Sequence, residues 1–232
     1  MTTPKPVTAP VPGEPKIFRF PDPRPCDLDM STYHYVNFPA YPSALADHLG
    51  SMDATIILSE TAAGLRPTRS YDDILFPDLL IAFNVNVAAA RAQNGYLIPE
   101  QGKPPDFVLE VASETTHEHD EGYKRNAYAN MGVTEYWRFD NTGDWYQTPL
   151  AGDVLVDGQY QPLPIRRTEE GYYRGHSPVL NLDLCWEDGL LRFWDPVGQR
   201  YLTTDLEERA ARRAAEARVQ ELEEELHRLS NS

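Results

Sequence analysis

Two nearly continuous apolar runs, DLLIAFNV at 78–85 and DFVLEVAS at 106–113, constrain this chain more than any other feature. Runs of that kind, without polar alternation, belong to strands covered on both faces, so both are predicted inside a layered sheet. Each run opens on an aspartate, Asp78 or Asp106, and the second carries Glu110 between Leu109 and Val111. Side chains alternate along a strand, so Asp106, Val108 and Glu110 face one way. A carboxylate inside a buried strand is costly unless a metal ion, a lysine or a water-filled cleft compensates it. If the two strands are neighbours, Asp78 and Glu110 can project toward one point. Two carboxylates, a backbone carbonyl and waters form a suitable shell for Mg²⁺.

The flanking segments supply the rest of a fold. ATIILSE at 54–60 is a further strand; Glu60 at its end is read as exposed, although it could add a ligand. A short helix is predicted over 41–50, with Pro42 near its start and Gly50 at its end. Residues 117–131 have helical character, with Tyr123, Ala127, Asn130 and Met131 on one side and Gly132 as the stop. Lys124 lies on this helix, with Asp120 one turn before it and Tyr128 one turn after it on the same face. TEYWRFD at 134–140 returns to a strand, with Tyr136 and Trp137 as core aromatics. The order predicts an α/β fold: a mixed β-sheet flanked by helices.

Residues 144–195 alternate short aromatic-rich runs with turn signals such as Asp157–Gly158 and Asp188–Gly189, and read as an antiparallel β extension of that sheet. The expected organisation is a disordered Pro-rich leader over 1–15, one domain over 16–200 (core 41–140, β extension 141–200) and a long helix over 205–229. In that helix Val219, Leu222, Leu226 and Leu229 repeat with 3-4-3 spacing, a coiled-coil pattern that predicts a homodimer or a docked partner. The other reading is a solvated helix laid against its own domain.

Several classes are excluded or disfavoured. No stretch approaches the roughly 20 apolar residues of a membrane span, and the N-terminus lacks the apolar core of a secretory signal, so a cytoplasmic protein is expected. A net charge of -15 disfavours a protein that coats nucleic acid nonspecifically, which needs Lys and Arg; it does not exclude an enzyme whose metal supplies positive charge. Cys26 and Cys185 fit neither a disulfide scaffold nor a zinc pattern. His117 and His119 lack a third His or Cys ligand nearby and read as a solvated helix start. A glycine-rich phosphate loop and a GxSxG elbow are both missing.

The stretches FPDLLIAFNV, PDFVLEVASETT and DEGYKRNAYANMGVTEYWRFD closely resemble the Uma family of restriction-endonuclease-like proteins, over about residues 40–200 and most densely from 76 to 140. That family resembles the PD-(D/E)xK nuclease superfamily, which implies a restriction-endonuclease-like fold. By resemblance, Pro77–Asp78 matches the PD element and Glu110 the acid of the following strand. The lysine expected two positions later is replaced by Ala112, and Lys124 resembles a lysine supplied from the helix. Ser113-Glu114-Thr115-Thr116 stands where the family usually reads Ser-Pro-Ser-Thr. The resemblance implies an endonuclease that hydrolyses phosphodiester bonds of nucleic acid, DNA first among them. Asp78 and Glu110 would hold Mg²⁺ or Mn²⁺, Lys124 would be catalytic, and Asp106 and Tyr128 would support them. The alternative is a catalytically decayed nuclease fold that dimerises or docks partners through residues 205–229.

Overall fold

In the computed structural model, which describes residues 17–22, 41–50 and 52–230, the two apolar runs are adjacent strands of one sheet. Strands β1 (Thr55–Leu58), β3 (Leu79–Phe83), β5 (Phe107–Val111), β6 (Glu135–Phe139), β7 (Leu150–Val156) and β8 (Gln159–Pro162) lie in the order β1-β3-β5-β6-β7-β8. A separate two-stranded parallel ribbon pairs β2 (Ala62–Gly64) with β4 (Gly95–Leu97). Within the large sheet every pairing is antiparallel except β5 with β6. A parallel pair needs a crossover, and the helical segment 117–131 provides it.

Among the described residues the body also has the α-helices α1 (Tyr41–Leu49), α2 (Val87–Gln93) and α3 (Ile98–Gln101), and a 3-10 turn at Tyr71–Asp73. The crossover helix is α4. One face of the large sheet, carrying Leu80, Ala82, Val108 and Tyr136, packs beneath Tyr128 of α4 and Ala90 of α2. The opposite face, carrying Leu79, Ile81, Phe107, Leu109, Trp137 and Phe139, packs against α1 through Leu45 and against a second sheet. This is why the two runs are apolar on both sides: each of their strands is sandwiched.

The second sheet corrects one expectation. Only β7 and β8 extend the first sheet. Strands β9 (Ile165–Arg167), β10 (Tyr173–Ser177), β11 (Leu182–Glu187), β12 (Leu190–Asp195) and β13 (Arg200–Tyr201) form an antiparallel sheet of their own, in the order β13-β12-β11-β10-β9. Leu182, Leu184, Leu191 and Phe193 press its inner face onto the first sheet. Alternating patterning is the same whether a strand extends a sheet or stacks on one, so the sequence does not separate the two cases. Trp137 fills the gap between the sheets: a Cβ on Gly152 would stand 2.9 Å from its ring. The fully buried Glu135 carboxylate ties the layers together. It accepts hydrogen bonds from Trp137 Nε1 (2.9 Å), the Ser177 hydroxyl (2.6 Å) and the Val179 N–H (2.8 Å).

Helix α4 corrects a second. It begins with a turn at His117–His119, loosens into a π-turn over Asp120–Lys124 and continues as Arg125–Met131. The side that meets the sheet carries Asp120 and Tyr128, not Tyr123. Tyr123 is 58% exposed, whereas Asp120 and Tyr128 are fully buried. A π-turn inside an α-helix is uncommon and recurs at functional sites. Of residues 16–40, 17–22 are described; Phe20 is buried beside Gly64 and Gly95. The leader predicted over 1–15, residues 23–40 and with them Cys26 lie outside the described residues. Helix α5 (Asp205–Ser230) is capped by Thr204, whose hydroxyl accepts the Glu207 N–H while Glu207 Oε2 accepts the Thr204 N–H.

Candidate active site

Strand pairing sets the first contact. In the β3–β5 register Leu79 faces Leu109, so the next step places Asp78 opposite Glu110 at the end of the ladder. Both residues have the parity of Leu80 and Val108, whose side chains meet the helices, so both carboxylates lie on the α4 face. Asp78 Oδ2 accepts the Val111 N–H at 2.6 Å, which fixes it against β5. On the other side of β5, Arg138 stands opposite Glu110 in the parallel β5–β6 register.

Helix α4 brings the cation. The Lys124 ammonium lies 2.9 Å from Glu110 Oε2 and 2.9 Å from Asp120 Oδ1. The second Glu110 oxygen accepts the Tyr128 hydroxyl at 2.6 Å. The second Asp120 oxygen accepts the Tyr146 hydroxyl at 2.9 Å, and the Asp120 carbonyl accepts the Tyr136 hydroxyl at 2.9 Å. Tyr146 comes from a loop organised by Asp140, whose buried carboxylate gathers the N–H groups of Thr142, Gly143, Trp145 and Tyr146. Three elements and one loop therefore converge on two buried acids and one lysine.

Burial dominates the electrostatics. It pushes the Glu110 carboxyl from its ordinary 4.5 up to about 8, against the pull of Lys124, while the charges of Asp78 and Asp120 add to the rise. Burial raises Asp120 too, again opposed by Lys124 and by the Tyr146 hydroxyl. Burial alone would lower Lys124, but the negative charges of Glu110, Asp120 and Asp78 outweigh it and hold the ammonium protonated. Burial first and the neighbouring carboxylates second raise Tyr128 and Tyr146, so both remain hydroxyl donors.

Of the predicted site residues, the structure gathers Asp78, Glu110, Lys124 and Tyr128. It does not gather Asp106. That carboxylate sits four residues from Glu110 along β5, about 13 Å at strand rise, bound to the Lys103 ammonium at 2.6 Å and to the Phe83 N–H at 2.8 Å. It anchors the far end of the strand. Glu60 follows β1 beside the PD segment, its N–H donating to the Pro77 carbonyl at 2.9 Å. His117 and His119 diverge: His117 stacks on Trp145 with ring centroids 4.8 Å apart, and His119 is exposed. Arg125 and Arg138 flank the site, and both are committed to Asp153 at 2.8 and 3.0 Å. Tyr146 escaped the sequence reading. Asp120 was legible only as a residue on the Lys124 face, not as its second anchor.

The oxygen-only donors beside the ammonium suit a hard cation. Among the described residues no trio of His, Cys, Asp and Glu is arranged to hold a metal ion. Both Glu110 oxygens and Asp78 Oδ2 already accept from Lys124, Tyr128 and the Val111 N–H, so an ion held by this pair would have to displace one of these contacts and keep most of its own waters, as Mg²⁺ can. Among the described residues no helix is long and apolar enough to cross a membrane.

A model of the Uma2 family, described as "Putative restriction endonuclease", matches residues 43–181, more than half of the chain. Among solved structures, a similar one is that of a "putative nuclease belonging to DUF820" from Anabaena variabilis ATCC 29413. It is 11% identical, covers 61% of this chain and 74% of that chain, and superposes with a TM-score of 0.39. No curated protein matches the sequence.

Proposed function

The chain belongs to the Uma2 family, and from that premise we propose that it is a metal-dependent endonuclease that hydrolyses phosphodiester bonds of DNA. The observation that carries this reading is the opposition of Asp78 and Glu110 on one face of the sheet, with the Lys124 ammonium held between Glu110 and Asp120.

Asp78 and Glu110 are the residues that would hold Mg²⁺ or Mn²⁺. Such an ion, when bound, acidifies a water and screens charge on a phosphate oxygen. The protein's own groups do the rest. Tyr128 keeps Glu110 oriented through its 2.6 Å hydrogen bond. Asp120, itself braced by Tyr146, holds Lys124 from the side opposite Glu110. Lys124 is the group placed to donate to negative charge that develops on the attacked phosphate, and a donor already held in place by Glu110 and Asp120 acts there with little reorganisation. Asp106 has no part in this scheme.

The test is cleavage of plasmid, linear duplex, single-stranded DNA and RNA in the presence of Mg²⁺ or Mn²⁺. The wild-type chain is expected to cut DNA only with metal, and Asp78→Ala to abolish cutting while melting normally. Undiminished cutting by Asp78→Ala refutes the assignment. A wild-type chain that is folded yet inert on every substrate and metal supports a non-catalytic docking role instead.

A further inference from the structure

Helix α5 stands apart from the body. Its first turn is tied down by the Thr204 cap and by the Arg192–Glu207 ion pair at 3.2 Å. Residues 208–224 and 227–229 are all exposed, including the apolar Val219 (54%), Leu222 (43%) and Leu229 (69%). The helix is therefore not laid against its own domain, and its apolar stripe faces water.

We propose that α5 is one strand of a parallel, two-stranded coiled coil formed with a second copy of this chain. Three features of the helix argue for that occupant. The first is the seam. Val219 and Leu222 stand at the a and d positions of a heptad, Leu229 at the next d, and Ala215 at the preceding d; Leu226 takes the remaining a position in sequence. A β-branched residue at a with leucine at d favours two parallel strands.

The second is charge. This heptad puts Arg218 at g and Glu223 at e. In a parallel pair g meets e of the next heptad on the other helix, so Arg218 meets the partner's Glu223, twice by symmetry. Arg218 is 65% exposed and pairs within its own helix to Glu221 at 2.8 Å, a weak surface contact that it can exchange. An antiparallel pair sets e against e, bringing the acidic Glu216 and Glu223 together. The third is Arg212 at the preceding a position, a charged residue that ends the seam and penalises registers that bury it. The seam spans about two heptads, so the association is reversible and depends on concentration.

Given the nuclease reading, the parallel arrangement has a consequence. Both bodies precede α5 at residue 204, so they lie at the same end of the coil, and two candidate sites are carried by one assembly.

Sedimentation of the full chain over a range of concentrations tests the association without reference to cleavage. The mass should rise from 26.3 kDa toward twice that value. Val219→Asp with Leu222→Asp should remain monomeric with an unchanged melt of the body. Arg218→Glu should weaken the dimer by about tenfold, and Arg218→Glu with Glu223→Arg should restore it. In a Cys26→Ser background, Ala215→Cys should form a self cross-link under mild oxidation, because a parallel pair sets d against d. A mass of 26.3 kDa at every concentration overturns the proposal, as does dimerisation that survives the double aspartate substitution. Failure of Ala215→Cys to cross-link in a chain that dimerises overturns the parallel arrangement. If the dimer forms and no substrate is cut, only the nuclease reading fails.

Discussion

Replacing Glu110 with glutamine removes the charge whose burial the fold opposes most. In the unfolded chain Glu110 ionises near its ordinary 4.5, and in the folded protein only near 8, because the side chain is 1% exposed. Between those pH values the folded state binds the extra proton, so the contribution of Glu110 to stability is complete below about pH 4.5 and is lost as pH rises through 8. At about 1.4 kcal/mol per pH unit, the ceiling on that loss is about 5 kcal/mol. That ceiling already contains the opposing attraction of Lys124; a glutamine amide does not reproduce every hydrogen bond of the protonated acid, so the net gain is smaller, about 1–3 kcal/mol at pH 9 and close to zero at pH 5. For a chain of this size that is a rise in melting midpoint of about 5 °C at pH 9. Thermal and urea unfolding in EDTA at pH 5, 7 and 9 would measure it. A variant that is less stable than wild type at pH 9, or equally shifted at all three values, refutes the reasoning. Glu110→Gln should also be inactive as a nuclease, which would make the buried acid a feature retained for function at a cost in stability.

Three other perturbations bear on the same cluster. Lys124→Met leaves Glu110 and Asp120 buried without their cation and should destabilise the protein by about 3–5 kcal/mol at pH 8, and by less at pH 5, where the acids take up protons; urea midpoints at the two pH values would show the difference. Tyr128→Phe removes the 2.6 Å hydrogen bond to Glu110 and should cost about 1–3 kcal/mol while raising the pH at which Glu110 ionises; unfolding at several pH values would record both. Binding of Mn²⁺ must displace the Glu110 proton, so apparent affinity should climb as pH rises toward 8 and then level off. A flat affinity from pH 6 to 9 would show that Glu110 is not a ligand.

How much of this was legible in the sequence depends on how local each signal is. Glu110 stood out because an acid inside an apolar strand needs an explanation, and alternation fixed the face it shares with Val108. Asp78 followed once its run was taken to be the neighbouring strand, and the β3–β5 register places it opposite Glu110. Lys124 was reachable through helical spacing. The same spacing puts Asp120, Lys124 and Tyr128 on one face, where Asp120 and Tyr128 are buried; nothing in DEGYK announces the π-turn, and Tyr123 stands exposed on another side. Asp106 shares the parity of Glu110 but sits at the far end of the strand, where Lys103 is the nearer partner; parity alone carries no information about distance along the chain. Tyr146 reaches the site through a loop closed by Asp140, a contact 26 residues from Asp120 in sequence. The second sheet was hidden for a similar reason, since residues 165–201 have the patterning of any half-buried antiparallel strands.

In the proposed function Asp78 and Glu110 act together on one divalent cation. Titration of Mn²⁺ into the metal-free protein at pH 8, followed by the loss of the free-ion electron paramagnetic resonance signal, tests this directly. Wild type is expected to take up Mn²⁺ at a site that is lost in Asp78→Asn and lost again in Glu110→Gln, with Asp106→Asn unaffected. Equal binding by wild type and Asp78→Asn would contradict it.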